Sequence, residues 1–141
     1  MTAYRYVQWD AVMHRCAQIA QTIREKHAPG TFELVGIARG GMIPAILIAY
    51  DLDMKAGMLD IVSFSDDARG RIVDTTTFQR DTKKHLIIID DIYDTGATAD
   101  YVLEEYDNAS AHFIIDKRKP EHKTEDWYIF PWDKLGQTHG Q

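Results

Sequence analysis

The sequence predicts an α/β fold with a mostly parallel central sheet flanked by helices. Three observations predict it. Apolar runs of strand length alternate along the chain with stretches of helical periodicity. The run at 85–89 (HLIII) is uniformly apolar, as suits a central parallel strand covered on both faces. The 141 residues suffice for one domain with its own core and leave little room for a second.

The elements follow in order. Residues 10–27 form an amphipathic helix, because Val12, Cys16, Ile19, Ala20 and Ile23 recur at helical spacing. Asp10 can cap its start and Pro29-Gly30 ends it. Phe32–Ala38 (FELVGIA) has the length of a buried strand. After Arg39-Gly40-Gly41, residues 42–50 are apolar and long enough for a helix, with Pro44 tolerated in its first turn. Residues 58–64 read as another strand. Residues 65–84 are polar and carry Asp66, Asp67, Asp74 and Asp81 against Arg69, Arg71, Arg80, Lys83 and Lys84. They read as a long loop or a loose hairpin, either a functional lid or a solvated excursion. The strand at 85–89 runs into Asp90-Asp91-Ile92-Tyr93-Asp94-Thr95-Gly96-Ala97-Thr98. A helix follows over 97–106, with Val102, Leu103 and Tyr106 as its core face, then a strand at 111–115. A charged stretch leads to Trp127-Tyr128-Ile129-Phe130-Pro131-Trp132-Asp133.

Composition narrows the function. The chain is 45% hydrophobic and 27% charged, which suits a packed domain. Its formal charge of -6, from 16 basic and 22 acidic residues, argues against a protein that coats nucleic acid or an anionic membrane. One cysteine, Cys16, excludes an internal disulfide and thiolate metal clusters; its helical context makes it a buried thiol in a reducing compartment. No stretch has the layout of a signal peptide or the length of a membrane span, so a cytoplasmic location is expected.

In such folds ligands sit at the carboxyl ends of the strands, and both Arg39-Gly40-Gly41 and 90–98 fall there. Asp94-Thr95-Gly96-Ala97-Thr98 enters a helix, where free backbone N–H groups, the helix dipole, two hydroxyls and a close-approach glycine make a phosphate cradle. Carboxylates repel phosphate, so Asp90 and Asp91 must serve a different purpose. They can bind vicinal hydroxyls of a sugar or hold Mg²⁺. The combination points to a sugar phosphate. Three competing readings are weaker. Strand-ending and helix-capping acids would not need three carboxylates beside Thr-Gly-x-Thr. The aspartic-protease Asp-Thr-Gly string belongs in an all-β fold with a paired copy. A receiver-type Mg²⁺ pocket leaves the helix entry unexplained.

Residues 88–98, Ile-Ile-Asp-Asp-Ile-Tyr-Asp-Thr-Gly-Ala-Thr, resemble the 5-phosphoribosyl 1-pyrophosphate (PRPP) signature of type I phosphoribosyltransferases. Ala38-Arg39-Gly40-Gly41 resembles that family's pyrophosphate loop, in which a non-proline cis peptide is implied, here at Arg39-Gly40. Residues 6–10, 37–45, 111–113, Lys119-Pro120 and Pro131-Trp132-Asp133 resemble, in the same order, the family's bacterial xanthine–guanine branch. The resemblance implies transfer of 5-phosphoribosyl from PRPP to a 6-oxopurine (guanine, xanthine or hypoxanthine) with release of pyrophosphate, in purine salvage. It implies that Asp90 and Asp91 bind the ribose hydroxyls, with Asp91 the better metal contact, and that Asp94 manages the purine N7 proton as general base. Thr95, Gly96, Ala97 and Thr98 would hold the 5-phosphate, and Arg39, Gly40 and Gly41 the pyrophosphate.

The same resemblance places a mobile loop at 65–84, with Arg69 or Arg71 reaching pyrophosphate. It implies a single domain over 1–141, with a core at about 1–116 and a base-binding hood at about 117–141. Lys119 would read the 6-oxo group, Trp127 would stack on the purine, and Tyr128 backbone would meet the 2-substituent. A solvated charge is the alternative for Lys119, since Lys117, Arg118 and Lys123 are close in sequence. Ordinary packing is the alternative for Trp127. Only six residues, 121–126, separate Pro120 from Trp127, so the hood is small and shortened, which leaves the preferred base open. Mg²⁺ as cofactor and a homodimer or homotetramer are also implied. Two further hypotheses stand beside this one. A PRPP-sensing regulator would show salt-dependent nucleic-acid binding, against the -6 charge. A transferase for a pyrimidine would not need the C-terminal lysine and tryptophan.

Overall fold

The computed structural model describes residues 3–64, 71–122 and 125–133. Its elements are β1 (Tyr4–Tyr6), α1 (Trp9–Lys26), β2 (Phe32–Ala38), α2 (Met42–Asp51), β3 (Ala56–Phe64), β4 (Arg71–Asp74), β5 (His85–Tyr93), α3 (Ala97–Glu105), β6 (Ala109–Asp116) and β7 (Trp127–Ile129). Five strands form the main sheet in the order β4-β3-β2-β5-β6. All its pairings are parallel except β3 with β4. The chain passes from β2 outward to β3 and from β5 outward to β6. The strand order therefore reverses between β2 and β5, which opens a crevice at their carboxyl ends.

Alternation explains why residues 86–89 of β5 are all apolar. Leu86, Ile87, Ile88 and Ile89 are each at most 1% exposed. Ile87 and Ile89 pack with Leu34, Ile19, Ile23 and Ile48 beneath α1 and α2. Leu86 and Ile88 pack with Val35, Ile37, Leu59, Ile61 and Val102 beneath α3. Each such side chain contributes about 1.5–3 kcal/mol by burial. Cys16 lies in the first of these clusters, and burial pushes its thiol up to about 11, which makes it inert packing. Gly36 lets α2 lie close on the sheet: a Cβ there would come within 2.8 Å of Ala45 Cβ.

The structure refines these expectations. The polar stretch 65–84 takes the hairpin form in part: Arg71–Asp74 is a strand paired with β3, Ile61 opposite Asp74. Beyond it, Thr75 N–H donates to Asp60 C=O at 2.9 Å, Phe78 lies against Gly57, and Arg80 donates to Lys84 C=O at 2.7 Å. Residues 75–84 are thus fastened along the sheet, and residues 65–70 of the expected mobile loop lie outside the described residues. Leu103 is 43% exposed, because α3 turns Ala99 and Val102 inward instead. β5 runs four residues past Ile89 and carries Asp90 and Asp91 within the strand. β1 was not foreseen; three exposed residues carry no strand signal, and β1 exists by pairing in parallel with β7, Tyr4 opposite Trp127. This two-stranded unit is separate from the main sheet, and β7 falls within the segment expected as the hood. Among the described residues no helix is long and apolar enough to cross a membrane.

Candidate active site

The crevice between β2 and β5 is a cavity of about 660 Å³ at the carboxyl ends of β2, β3 and β5. It collects Arg39, Gly40, Asp90, Asp91, Asp94, Thr95, Gly96, Ala97 and Thr98 into one site. Gly41 sits directly behind, where a Cβ would meet Ile37 C=O at 2.8 Å. Sequence reasoning missed Asp60 and Ser63, which also line the cavity. The β2–β3 register, Ala38 opposite Asp60, puts them there, and that pairing is not readable from local pattern.

The loop after β2 is built tightly. The Ala38–Arg39 peptide is cis, one bond earlier than the Arg39-Gly40 bond expected. Gly41 N–H donates to Ile37 C=O at 2.9 Å, and Met42 N–H to Arg39 C=O at 3.1 Å, which leads into α2. Gly40 passes so close to Asp91 that a Cβ would collide with its carboxylate. We therefore expect Gly40→Ala to displace Asp91 and abolish tight binding of a phosphorylated sugar while leaving the melting temperature nearly unchanged. Calorimetry beside a thermal melt checks this.

At the end of β5, Asp91 N–H donates to Asp90 Oδ1 at 2.9 Å. Burial holds the Asp90 carboxyl well above the usual carboxylate range, and the charge of Asp91 adds to that. Asp91 is raised too, chiefly by burial. A raised acid pKa means that the folded protein holds the proton more tightly than the unfolded chain. Asp90 therefore favours folding below its unfolded pKa of about 4, and that contribution is lost as pH rises through the folded value. Above about pH 4 the burial of this acidic pair therefore costs the fold stability. Asp90→Asn should accordingly raise Tm near pH 7, with the gain shrinking toward about pH 4. Thermal melts across that range check it, and a lower Tm at every pH would contradict it.

The α3 entry is built on Gly96. Gly96 has φ +90°, and Asp100 N–H donates to Gly96 C=O at 2.8 Å to start the helix. Asp94 and Thr95 are exposed to the cavity mouth.

The cation beside Asp94 is the main surprise. Lys117 Nζ lies 3.0 Å from Asp94 Oδ1, although Lys117 itself is buried. Lys119, the residue expected here, is exposed and lines a separate cavity with Arg15 and His122. The reason is a turn: Lys119 N–H donates to Asp116 C=O at 3.0 Å, which swings Lys119 away one step past the strand. Strand register completes the placement, since Asp116 pairs with Tyr93 and Lys117 follows alongside Asp94. Tyr128 has its ring 5.8 Å from Lys117 Nζ. Trp127 is 51% exposed on the opposite side of β7. Arg71 stacks on Phe64 at 4.7 Å, and Arg69 lies outside the described residues.

Comparison with known proteins agrees with this geometry. Residues 3–133 match the family described as the phosphoribosyl transferase domain. The chain is 28% identical to a xanthine-guanine phosphoribosyltransferase of Desulfotalea psychrophila, over 93% of this chain and 87% of that one. Its fold is similar to a purine phosphoribosyltransferase of Pyrococcus horikoshii, with TM-score 0.74 and 24% identity over 95% and 96% of the two chains. It is also similar to the xanthine-guanine-hypoxanthine enzyme of Helicobacter pylori, with TM-score 0.69 and 15% identity over 94% and 93%. With the signature segment forming the cavity that its chemistry requires, the chain belongs to the phosphoribosyl transferase domain family.

Proposed function

We propose that this chain is a Mg²⁺-dependent purine phosphoribosyltransferase that joins the 5-phosphoribosyl group of PRPP to guanine, xanthine or hypoxanthine and releases pyrophosphate. One observation carries the reading. A single cavity is lined by the α3 entry at 94–98, the half-buried carboxylates Asp90 and Asp91, and the loop at 38–40. PRPP has a part for each: a 5-phosphate, vicinal hydroxyls and a diphosphate.

In this reading Thr95, Gly96, Ala97 and Thr98 hold the 5-phosphate through backbone N–H groups and hydroxyls. Asp90 and Asp91 accept hydrogen bonds from the ribose hydroxyls. Arg39 and the backbone at Gly40 and Gly41 orient the leaving diphosphate. The bond from C1 to pyrophosphate breaks as the bond from C1 to a purine nitrogen forms. Asp94 takes the proton that the purine must lose. Lys117, rather than Lys119, is placed to donate to a 6-oxo group, because it already meets Asp94. The Tyr128 ring, 5.8 Å from Lys117 Nζ, lies nearer this lysine than the exposed Trp127 ring on the opposite side of β7.

The donor set fits a substrate-borne Mg²⁺. Among the described residues no three His, Cys, Asp or Glu converge as a metal cage. Mg²⁺ is commonly held by one or two carboxylates plus substrate oxygens, and Asp91, with Asp90, supplies those. When bound, it would neutralise charge on the diphosphate. The enzyme would act in the cytoplasm as a homo-oligomer, as the notably apolar, partly exposed α2 would allow.

Pyrophosphate release from PRPP and Mg²⁺ with each base in turn tests the proposal. We expect turnover with at least one 6-oxopurine. Folded protein that turns over none of the three would refute it.

A further inference from the structure

The exit of β6 grips the phosphate loop at three points. Lys117 N–H donates to Tyr93 C=O at 3.1 Å. Lys117 Nζ meets Asp94 Oδ1 at 3.0 Å. The Arg118 guanidinium lies 3.8 Å from the centroid of the Tyr93 ring. Arg118 is itself held from behind. Its Nε donates to Asp116 Oδ1 at 2.9 Å and its Nη2 to Asp116 Oδ2 at 2.8 Å. Asp116 is largely buried, and these bonds keep its carboxyl below the usual range. Phe113 sets its ring edge-on to Tyr93, with centroids 5.4 Å apart.

The far side of Tyr93 touches the loop. Its hydroxyl occupies the space that any side chain at Gly96 would need, and it lies 3.5 Å from Asp100 Oδ1 in the first turn of α3. Tyr93 is thus a ring pressed between Arg118 and the Gly96 backbone. The loop itself has little to stiffen it. Gly96 is the residue type with the freest backbone, Asp94 and Thr95 are exposed, and the local Ala97 N–H to Thr95 Oγ1 contact is long at 3.4 Å.

We propose that Asp116, Arg118 and Tyr93 form a clasp that holds residues 94–98 in their phosphate-binding shape before substrate arrives. Arg118 and Tyr93 are then positioning residues for PRPP, acting through the loop and touching no reacting atom. A loop ordered in advance spares the ligand the entropy of ordering it. The clasp requires arginine: a planar guanidinium stacks on a ring and presents a two-pronged fork to a carboxylate, whereas an ammonium does neither. The ligand named here rests on the function proposed above; the clasp geometry does not.

The test combines two readouts on wild type, Arg118→Met, Arg118→Lys, Tyr93→Leu and the Arg118→Met/Tyr93→Leu double variant. The first is amide hydrogen exchange over residues 94–98 without ligand. The second is PRPP affinity with Mg²⁺ by calorimetry. Asp116→Asn, which loosens the fork while keeping its size, guards against a variant that fails to fold. We expect faster exchange confined to 94–98 and PRPP binding weakened about 2- to 5-fold in each single variant, the range for loss of one solvent-exposed cation–ring contact. Arg118→Lys should not rescue. The double variant should be no worse than the poorer single one, because both break the same unit. Unchanged exchange at 94–98, rescue by lysine, or additive losses would overturn the clasp. Should wild type bind no PRPP, the proposed function falls, and the exchange data still decide the clasp.

Discussion

Asp94→Asn is expected to lower kcat by roughly 10²-fold or more while leaving PRPP affinity close to wild type. The two effects separate because Asp94 stands at the mouth of the cavity, whereas the groups that face sugar and phosphate lie deeper. Asp90 and Asp91 are set in β5, and the backbone N–H groups of the cradle begin after Asp94. Asparagine keeps the size and a hydrogen-bond acceptor, so it can still meet Lys117. It has no basicity, so the proton that the purine loses has no acceptor. Single-turnover kinetics beside PRPP calorimetry check this. Unchanged turnover would remove Asp94 from the mechanism.

The second large effect concerns the lysine. Lys117→Met should cut kcat/KM for the base about 10–100-fold, the range for losing a hydrogen bond to a charged group, and raise KM for the base more than KM for PRPP. Lys119→Met should change both by less than about 2-fold, as is usual for an exposed residue remote from a site. The contrast rests on position: Lys117 Nζ is 3.0 Å from Asp94, and Lys119 lies in the other cavity. Steady-state kinetics on the two variants decide it. Equal losses at both positions, or a loss confined to Lys119, would reverse the assignment.

The fold was legible wherever apolar periodicity was strong. Phe32–Ala38 coincides with β2, and the helix read at 10–27 is Trp9–Lys26. These elements bury a face, and burial writes itself into sequence at period two or 3.6. β1 and β4 were not legible as strands in their own right. They are short and largely exposed, and both exist through pairing with distant or neighbouring strands, β7 and β3.

The site divides the same way. Residues 90–98 were readable because strand end, cradle and helix start are contiguous, so local chemistry suffices. The loop at 38–41 was readable for the same reason. Which lysine meets Asp94 depends on a turn rather than a motif. Lys117 and Lys119 are two residues apart in sequence, and the Asp116 C=O bond to the Lys119 N–H decides which one faces Asp94. Asp60 and Ser63 reach the cavity only through strand register.

A crystal structure with GMP, IMP or XMP bound tests the central claim most directly. We predict the 5-phosphate on the backbone of residues 95–98, the ribose hydroxyls at Asp90 and Asp91, and the purine at the mouth of the cavity. Its N7 should lie beside Asp94 and its 6-oxo group within hydrogen-bonding distance of Lys117 Nζ. A nucleotide whose phosphate lies outside the 94–98 cradle, or whose base meets neither Asp94 nor Lys117, would contradict it.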